Sequence, residues 1–404
     1  MTERHSTLLV VGGGIGGLAT AVAASAAGID VRVLEQAAQF DEVGAGLQMG
    51  PNAVRMLDRL GLLDAALASA VRPARARLLD AMTGQTLTTL ELGAACEARY
   101  GYPYVVMHRQ DLLAVLQDAC ERSPLVTLET GRLVESVTPE IGRAVALSAG
   151  WRYTGSALIG ADGLHSTVRK LFDTSEPDCG GYVAYRGTIA ADDTTSVHGD
   201  DVLIWIGPGL HLVQYPIRSG GLYNQVAVFA SDSYLTGDPD WGNEAELDER
   251  FERTCAPVRQ AVRRIPRHRR WPVYDRAPLG QWTLGTVALL GDAAHPMQQY
   301  LGQGACQALE DAVALAAQIA ASRNDVPLAL KRYEQQRLPR ASRCQLAARP
   351  WGTVWHSEDP VVIGLRDRLL ERRAADDYQD LDWLYAEEVS PAAPSAVSGG
   401  KAEQ

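Results

Sequence analysis

Three glycine-bearing landmarks in a fixed order constrain this chain more than any other feature. Near the N-terminus stands Leu8-Leu9-Val10-Val11-Gly12-Gly13-Gly14-Ile15-Gly16-Gly17, with Glu35 beyond it. In the middle comes Gly160-Ala161-Asp162-Gly163, running on into Leu164-His165-Ser166-Thr167-Val168-Arg169. Toward the C-terminus comes Ala288-Leu289-Leu290-Gly291-Asp292-Ala293-Ala294-His295-Pro296. Thr7 to Val11 is apolar and short, as a buried parallel strand is. Gly12 then allows a tight turn, Gly14 lets backbone approach a pyrophosphate, and Gly17 lets the following helix pack closely. Ile15 to Ala27 reads as that helix, alanine-rich and ended by Gly28, with its N-terminal N–H groups free for phosphate. Asp30 to Leu34 reads as a second strand. Glu35 ends it, about 20 residues past the glycines, where a carboxylate accepts hydrogen bonds from a ribose.

The first landmark alone is compatible with NAD. All three together, held by segments far apart in sequence, point to FAD and to an enzyme. Composition agrees by exclusion. The net charge of −11 argues against nucleic acid or an anionic membrane as partner. The six cysteines include no C-x-x-C pair, which suggests neither a metal site nor a disulfide framework and fits a reducing cytoplasm. No signal peptide or long apolar span is evident.

Along the chain, Pro51 to Leu60 reads as an amphipathic helix, 75–92 as a hairpin around Thr83-Gly84, and Asp111 to Cys120 as a helix. Short strands fill 123–160. Tyr182 to Ile189, Val202 to Ile206, Leu210 to Pro216 and Asn224 to Phe229 read as strands of an inserted sheet. Residues 287–292 read as one more buried strand. Helices follow at Gly304 to Ala320 and Pro327 to Leu346, then a separate helical segment with Trp351 and Trp355. The expected fold class is α/β: a Rossmann-like FAD-binding domain of the glutathione reductase type, an inserted β-sheet substrate domain and C-terminal helices. The FAD-binding domain is assigned to 1–72, 99–180 and 272–340, and the substrate sheet to 73–98 and 181–271. The helical segment takes 341–386, and 387–404, rich in Ser, Pro, Ala and Gly, is expected to be disordered.

The chain resembles the single-component flavoprotein aromatic hydroxylases, the para-hydroxybenzoate hydroxylase-like FAD monooxygenases, over about 7–385. Carrying the resemblance are the glycine run, His108-Arg109-x-Asp111-Leu112, Gly160-Ala161-Asp162-Gly163, Gly291 to Pro296, Gly302-Gln303-Gly304-Ala305 and Glu310-Asp311. It implies that Gly12, Gly14, Ile15 and Gly17 with Glu35 and Gln36 hold the adenosine and pyrophosphate end of FAD. It implies that Arg109 lies near the pyrophosphate, that Asp292 binds the ribityl chain, and that Asp162 supports flavin and a visiting nicotinamide. Gly304 and Ala305 would open a helix aimed at the flavin pyrimidine. The activity implied is hydroxylation of a phenolic aromatic acid with NAD(P)H and O2 through a flavin C4a-hydroperoxide. There is no second nucleotide motif, as the family leads one to expect.

One departure stands out. Most members of the resembled family carry proline where this chain has Gln299, in His295-Pro296-Met297-Gln298-Gln299-Tyr300. With His211-Leu212-Val213-Gln214-Tyr215 and Gly101-Tyr102-Pro103-Tyr104, it resembles most the 3-hydroxybenzoate 6-hydroxylase branch. Salicylate 1-hydroxylases and 6-hydroxynicotinate 3-monooxygenases are the competing branches. His211, Val213 and Tyr215 alternate and so share one strand face. If that face meets the flavin, His211 takes the phenol proton. Gln299 holds the oxyanion, and Tyr215 and Tyr104 position the ring. The alternatives are a histidine satisfied within the sheet, a core tyrosine and an aromatic wedge at a turn. His108 and His295 read as structural. Arg186 is a nicotinamide contact or a member of a structural ion pair. Rival classes are an FAD oxidase or epoxidase on a non-phenolic substrate, and a non-catalytic FAD-fold binding protein. A halogenase would want a Trp-x-Trp-x-Ile-Pro run, which is absent. The position hydroxylated, NADH against NADPH, and the oligomeric state, homodimer included, stay open.

Overall fold

The computed structural model describes residues 2–40, 45–192 and 199–386. The expectation for 387–404 therefore falls outside the described residues. The first sheet is ordered Thr283–Leu284, Val287–Leu289, Trp151–Gly160, Thr2–Val11, Val31–Leu34, Val126–Glu129. All neighbours from Val287–Leu289 onward run parallel. Thr2–Val11 starts earlier than its apolar run suggested, because its polar residues 2–6 pair with Trp151 to Gly155 along the longer partner strand. Parallel strands connect through crossovers, and from the central Thr2–Val11 these depart to opposite sides. That makes the end of this strand a switch point, where α/β sheets bind ligands. Gly12 and Ala161 sit there side by side, following Val11 and Gly160 of adjacent strands. The helix Ile15–Ala26 packs down at once, since a Cβ on Gly17 would lie 1.9 Å from Gly12 O.

The second sheet has seven strands, in the order Trp271–Pro272, Tyr182–Ala190, Leu222–Ala230, Leu210–Ile217, Val202–Gly207, Arg75–Asp80, Thr86–Glu91. Side chains alternate across it. One face packs Tyr185, Trp205, Leu212 and Phe229 against Leu247, Phe251, Val258 and Val262. Those last four lie on helices Glu244–Phe251 and Ala256–Arg263, which reading the segment as strands alone overlooked. The other face carries Leu78, Ile204, Val213, Tyr215, His211 and Arg186, and it faces the first sheet across a cavity.

Two expected elements are corrected. The strand at 287–292 stops at Leu289, because Gly291 turns at φ +61° into a short 3₁₀ turn, Gly291–Ala293. The helix expected to end at Leu346 runs from Val326 to Trp355 with Pro339 and Pro350 inside it. Trp351 and Trp355 therefore end this helix and do not form a separate segment. Each proline removes one backbone donor. Buried Arg337, Arg340, Ala341, Cys344, Gln345, Ala348, Gly352 and Trp355, at helical spacing, hold the helix on course. Helices Pro360–Glu371 and Asp382–Tyr385 follow. Tyr385 returns to the cavity edge-on to Tyr104, with ring centroids 6.3 Å apart. Among the described residues no helix is long and apolar enough to cross a membrane.

Candidate active site

A cavity of about 960 Å³ runs between the two sheets. At its glycine end, Gly12 holds φ +104°, and a Cβ there would meet Ala161 O at 2.3 Å. Gly14, Ile15, Glu35, Gln36, Arg109, Asp162, Asp292, Gly304 and Ala305 all line the cavity. Gly17 lies off the lining, packed beneath Gly12. The carboxylate of Glu35 accepts hydrogen bonds from Gly13 N–H at 2.6 Å and Ala37 N–H at 2.7 Å. Asp162 is more committed than the sequence suggested. It accepts from Ser166 Oγ at 2.5 Å and from the Thr167 and Val168 N–H groups at 2.7 and 3.2 Å. Burial raises its carboxyl above the ordinary range, and those bonds oppose the rise. Its carboxylate thus braces its own loop at the cavity edge.

Helix ends test whether FAD fits. Ile15–Ala26 is capped by Gly14 and Gly304–Ala321 by Gln303, and neither has a side-chain cap bond or an acid in its first turn. Two helices thus bring uncapped N–H groups and positive dipole ends to one cavity. One suits a pyrophosphate and the other an electron-rich ring edge. The cavity volume, the close glycine backbone and the Glu35 carboxylate suit the remainder, so the residues present fit FAD.

The far end is aromatic, with the Arg186 guanidinium on the same wall. His211 and Tyr215 line it from strand Leu210–Ile217, Gln299 from the 3₁₀ turn Gln299–Leu301, and Tyr104 from the segment before Val105. The structure thus brings together all four residues singled out there. The Gln299 amide nitrogen lies 3.3 Å from His211 Nε2. Tyr104 donates its hydroxyl to Gln48 Oε1 at 2.6 Å. The Tyr215 ring packs on Gly46, where a Cβ would come within 2.4 Å of it. Burial raises the phenol pKa of both tyrosines, so both keep their protons.

Behind His211 is a residue the sequence did not signal. His356 Nε2 lies 2.6 Å from His211 Nδ1, and the two near-coplanar rings meet edge to edge with centroids 4.9 Å apart. His356 Nδ1 in turn lies 3.5 Å from the Tyr300 hydroxyl. Burial pushes His211 well below the usual histidine range, with His356 adding to the fall, and burial takes His356 down to about 3. Both rings are neutral at neutral pH. Gln48 was likewise missed. Arg186 lies over the Trp271 ring at 4.4 Å on the same sheet face.

A second buried cluster is charged. Arg337 donates to Asp311 Oδ1 at 2.7 Å and to Glu310 Oε2 at 2.6 Å, and Arg340 donates to Glu310 at 2.6 and 2.9 Å. His295 Nε2 meets Asp311 Oδ2 at 2.5 Å, away from the cavity lining. Burial alone would raise both carboxyls. The arginines, with His295 for Asp311, overcome it and hold each at about 2. His108 caps helix Arg109–Arg122 by accepting from Gln110 N–H.

Known proteins bear on this geometry. Residues 5–347 match the family model described as FAD binding domain. The chain is 38% identical over 380 residues to 3-hydroxybenzoate 6-hydroxylase of Polaromonas naphthalenivorans (strain CJ2), covering 94% of this chain and 95% of that protein. It is 36% identical over 396 residues to 3-amino-4-hydroxybenzoate 2-monooxygenase PtnB3 of Streptomyces platensis, covering 97% and 98%. Among solved structures, Klebsiella pneumoniae HpxO complexed with FAD and uric acid superposes with a TM-score of 0.82 at 27% identity, over 93% of this chain and 94% of that one.

Proposed function

We propose that this chain, which belongs to the FAD-binding-domain family, is an FAD-dependent hydroxylase of phenolic aromatic acids that uses NAD(P)H and O2. Its best-supported substrate is 3-hydroxybenzoate, giving 2,5-dihydroxybenzoate. The observation that carries this reading is His211, a neutral imidazole on the cavity wall with Gln299 against its Nε2. The 38% identical Polaromonas naphthalenivorans relative bears the matching name.

Bound FAD, once reduced, supplies electrons and the means to activate O2. Everything else falls to the chain. Gly12, Gly14 and Ile15 with Glu35 and Gln36 hold the dinucleotide, and Arg109 and Asp292 grip its middle. The N-terminus of helix Gly304–Ala321 stabilises negative charge on the ring system. Gly17 acts through packing alone. Asp162 keeps its loop shaped for flavin and nicotinamide. Tyr104, fixed by Gln48, and Tyr215, fixed over Gly46, orient the aromatic acid. The buried aromatic and aliphatic wall excludes water. His211 Nε2 takes the phenol proton while Gln299 donates to the oxygen. Losing that proton raises electron density at the ring carbons ortho and para to the oxygen. In 3-hydroxybenzoate, hydroxylation at the para carbon gives the 2,5 product. Burial depresses the basicity of His211. Burial also strengthens the attraction between the imidazolium and the oxyanion formed beside it.

A second reading is an aminohydroxybenzoate substrate, favoured by the 36% identity to the Streptomyces platensis enzyme. The deciding experiment presents FAD-loaded protein and NADH with 3-hydroxybenzoate, 3-amino-4-hydroxybenzoate, salicylate and 6-hydroxynicotinate, and identifies products by mass spectrometry and NMR. The expected result is substrate-stimulated NADH oxidation yielding 2,5-dihydroxybenzoate. Catechol and CO2 from salicylate would move the assignment to another branch. If none of the four stimulates NADH oxidation, the phenolic reading fails.

A further inference from the structure

We infer that His356 is a positioning residue that fixes His211 in the tautomer with hydrogen on Nδ1, so that Nε2 carries the lone pair that takes the substrate proton once the Gln299 amide donates to the phenol oxygen. The inference rests on the proposed role of His211 as proton acceptor.

The argument begins with two nitrogens. His211 Nδ1 and His356 Nε2 lie 2.6 Å apart, on residues only 1% and 4% exposed. Two N–H groups would collide at that distance, and two lone pairs would repel with no water to intervene. A single hydrogen therefore lies between them. Burial disfavours the charged form of both rings, so each ring carries one hydrogen.

Neighbours choose the direction. The Gln299 amide nitrogen, 3.3 Å from His211 Nε2, is a donor, so Nε2 presents a lone pair. The hydrogen of His211 is then on Nδ1 and is donated to His356 Nε2. That places the hydrogen of His356 on Nδ1, facing the Tyr300 oxygen at 3.5 Å. The donors run one way, from Gln299 through His211 and His356 to Tyr300.

His356 is well placed for this work. It caps the C-terminal end of helix Val326–Trp355, where its backbone N–H donates to Gly352 O. Its ring is held against Tyr182 at 4.5 Å and Tyr300 at 5.5 Å, and Trp355 packs edge-on to His211 at 5.6 Å. Among the described residues, no carboxylate hydrogen-bonds either imidazole. An acidic orienter would put a fixed anion behind a pocket that must accept an aromatic carboxylate. A neutral imidazole sets the same tautomer without that repulsion. In the reaction the phenol O–H bond breaks and an N–H bond forms at His211 Nε2. The imidazolium so made keeps its Nδ1–H on the His356 lone pair.

The test reads protonation sites directly. FAD-loaded protein labelled with ¹⁵N-histidine gives imidazole ¹⁵N–¹H correlations at neutral pH, with His211 assigned by its loss in His211→Asn. The expected spectrum shows a protonated Nδ1 and an unprotonated Nε2. His356→Phe keeps an aromatic ring but removes the acceptor. It should move hydrogen onto Nε2 and lower kcat for hydroxylation roughly tenfold to hundredfold, the usual cost of losing the partner that orients a functional histidine, with KM little changed. His356→Gln, whose amide oxygen can accept from Nδ1, should restore both. Hydrogen on Nε2 in the parent protein overturns the inference, and this needs no variant to fold. A tautomer and rate unmoved by His356→Phe overturn it as well. If instead His211→Asn hydroxylates at the parent rate, the proposed role of His211 fails while the tautomer assignment stands.

Discussion

Two buried polar clusters in this molecule follow opposite electrostatic rules. In the first, Glu310 and Asp311 of helix Gly304–Ala321 face Arg337 and Arg340 of helix Val326–Trp355, and every formal charge has an opposite partner. In the second, His211, His356 and Tyr300 sit as deeply, with the exposed Gln299 at their edge, and none carries a formal charge. Burying a charge is tolerable only when it is paired and hydrogen-bonded. The charged cluster meets that demand internally and needs nothing from a ligand, so it serves as a joint between two long helices. The neutral cluster keeps its desolvation cost low by staying uncharged. In the proposed reading it becomes charged only when a phenol delivers a proton. Self-sufficiency marks the scaffold, and an unmet capacity for a proton marks the reactive site.

Removing a member of each cluster should therefore damage different properties. His211→Ala is expected to slow hydroxylation roughly 10²–10⁴-fold, the range of general acid–base catalysis. Flavin content should stay unchanged, and more of the consumed NADH should appear as hydrogen peroxide. Product and peroxide assays on the same sample check this, and parent-level hydroxylation would break the comparison. Arg337→Met should act on the fold. It strips Asp311 and Glu310 of a buried cation, a loss of roughly 3–5 kcal/mol for a broken buried pair. Urea unfolding of the FAD-loaded protein measures it. A loss under 1 kcal/mol would mean that the joint is not structural.

The clusters should also separate by pH. His211 and His356 have folded pKa values below the unfolded value near 6.5, the latter at about 3. Their contribution is therefore whole above pH 6.5 and erodes as pH falls below it. For His356 the loss is about 1.4 kcal/mol per pH unit while only the unfolded form binds the proton, and His211 acts in the same direction. Glu310 and Asp311, held at about 2, keep their contribution down to about pH 4 and lose it between there and about 2. His108, also lowered by burial, adds to the upper window. Between pH 6.5 and 4.5 the parent should lose roughly 3 kcal/mol through His356, with His211 adding a loss in the same direction. His356→Phe should make that slope shallower by about one histidine's share. An equal slope in parent and variant would place the acid sensitivity elsewhere.

How much of this was legible in the sequence follows from which atoms do the work. The glycine end of the cavity is built from backbone, and backbone needs leave marks. Gly12 must hold positive φ against Ala161, Gly17 must sit on Gly12 O, and Glu35 must end the second strand. His211 was legible through its alternation with Val213 and Tyr215, and Gln299 because it stands where proline is usual. His356 carried no signal. It follows a helix that Pro350 argues against in sequence, and only tertiary packing carries that helix to Trp355. Gln48 and Tyr300 are side-chain partners brought in from other segments, which no local pattern announces. Asp162 shows the converse limit. Its motif locates it at the cavity, but whether its oxygens face a ligand or cap their own loop is decided by three-dimensional neighbours.

The smallest expected effect sharpens the comparison most. Gln299→Pro would install the proline that the family resemblance leads one to expect, and the local backbone already suits it. Gln299 opens its 3₁₀ turn, and Gln298 before it is extended, at φ −62° and ψ 149°. Extended backbone is what proline asks of its predecessor, and the first position of a helical turn needs no N–H. Fold and flavin content should therefore survive. What is lost is the amide contact to His211, a neutral hydrogen bond worth about 0.5–1.5 kcal/mol, so coupling of NADH oxidation to product should drop roughly twofold to tenfold. In the ¹⁵N spectrum, His211 should keep hydrogen on Nδ1, because His356 still supplies the acceptor. If the variant instead moves hydrogen onto Nε2, Gln299 and not His356 sets the tautomer. If coupling and spectrum are both unmoved, Gln299 shapes the pocket as a proline would, and the neutral cluster reduces to its two histidines and Tyr300.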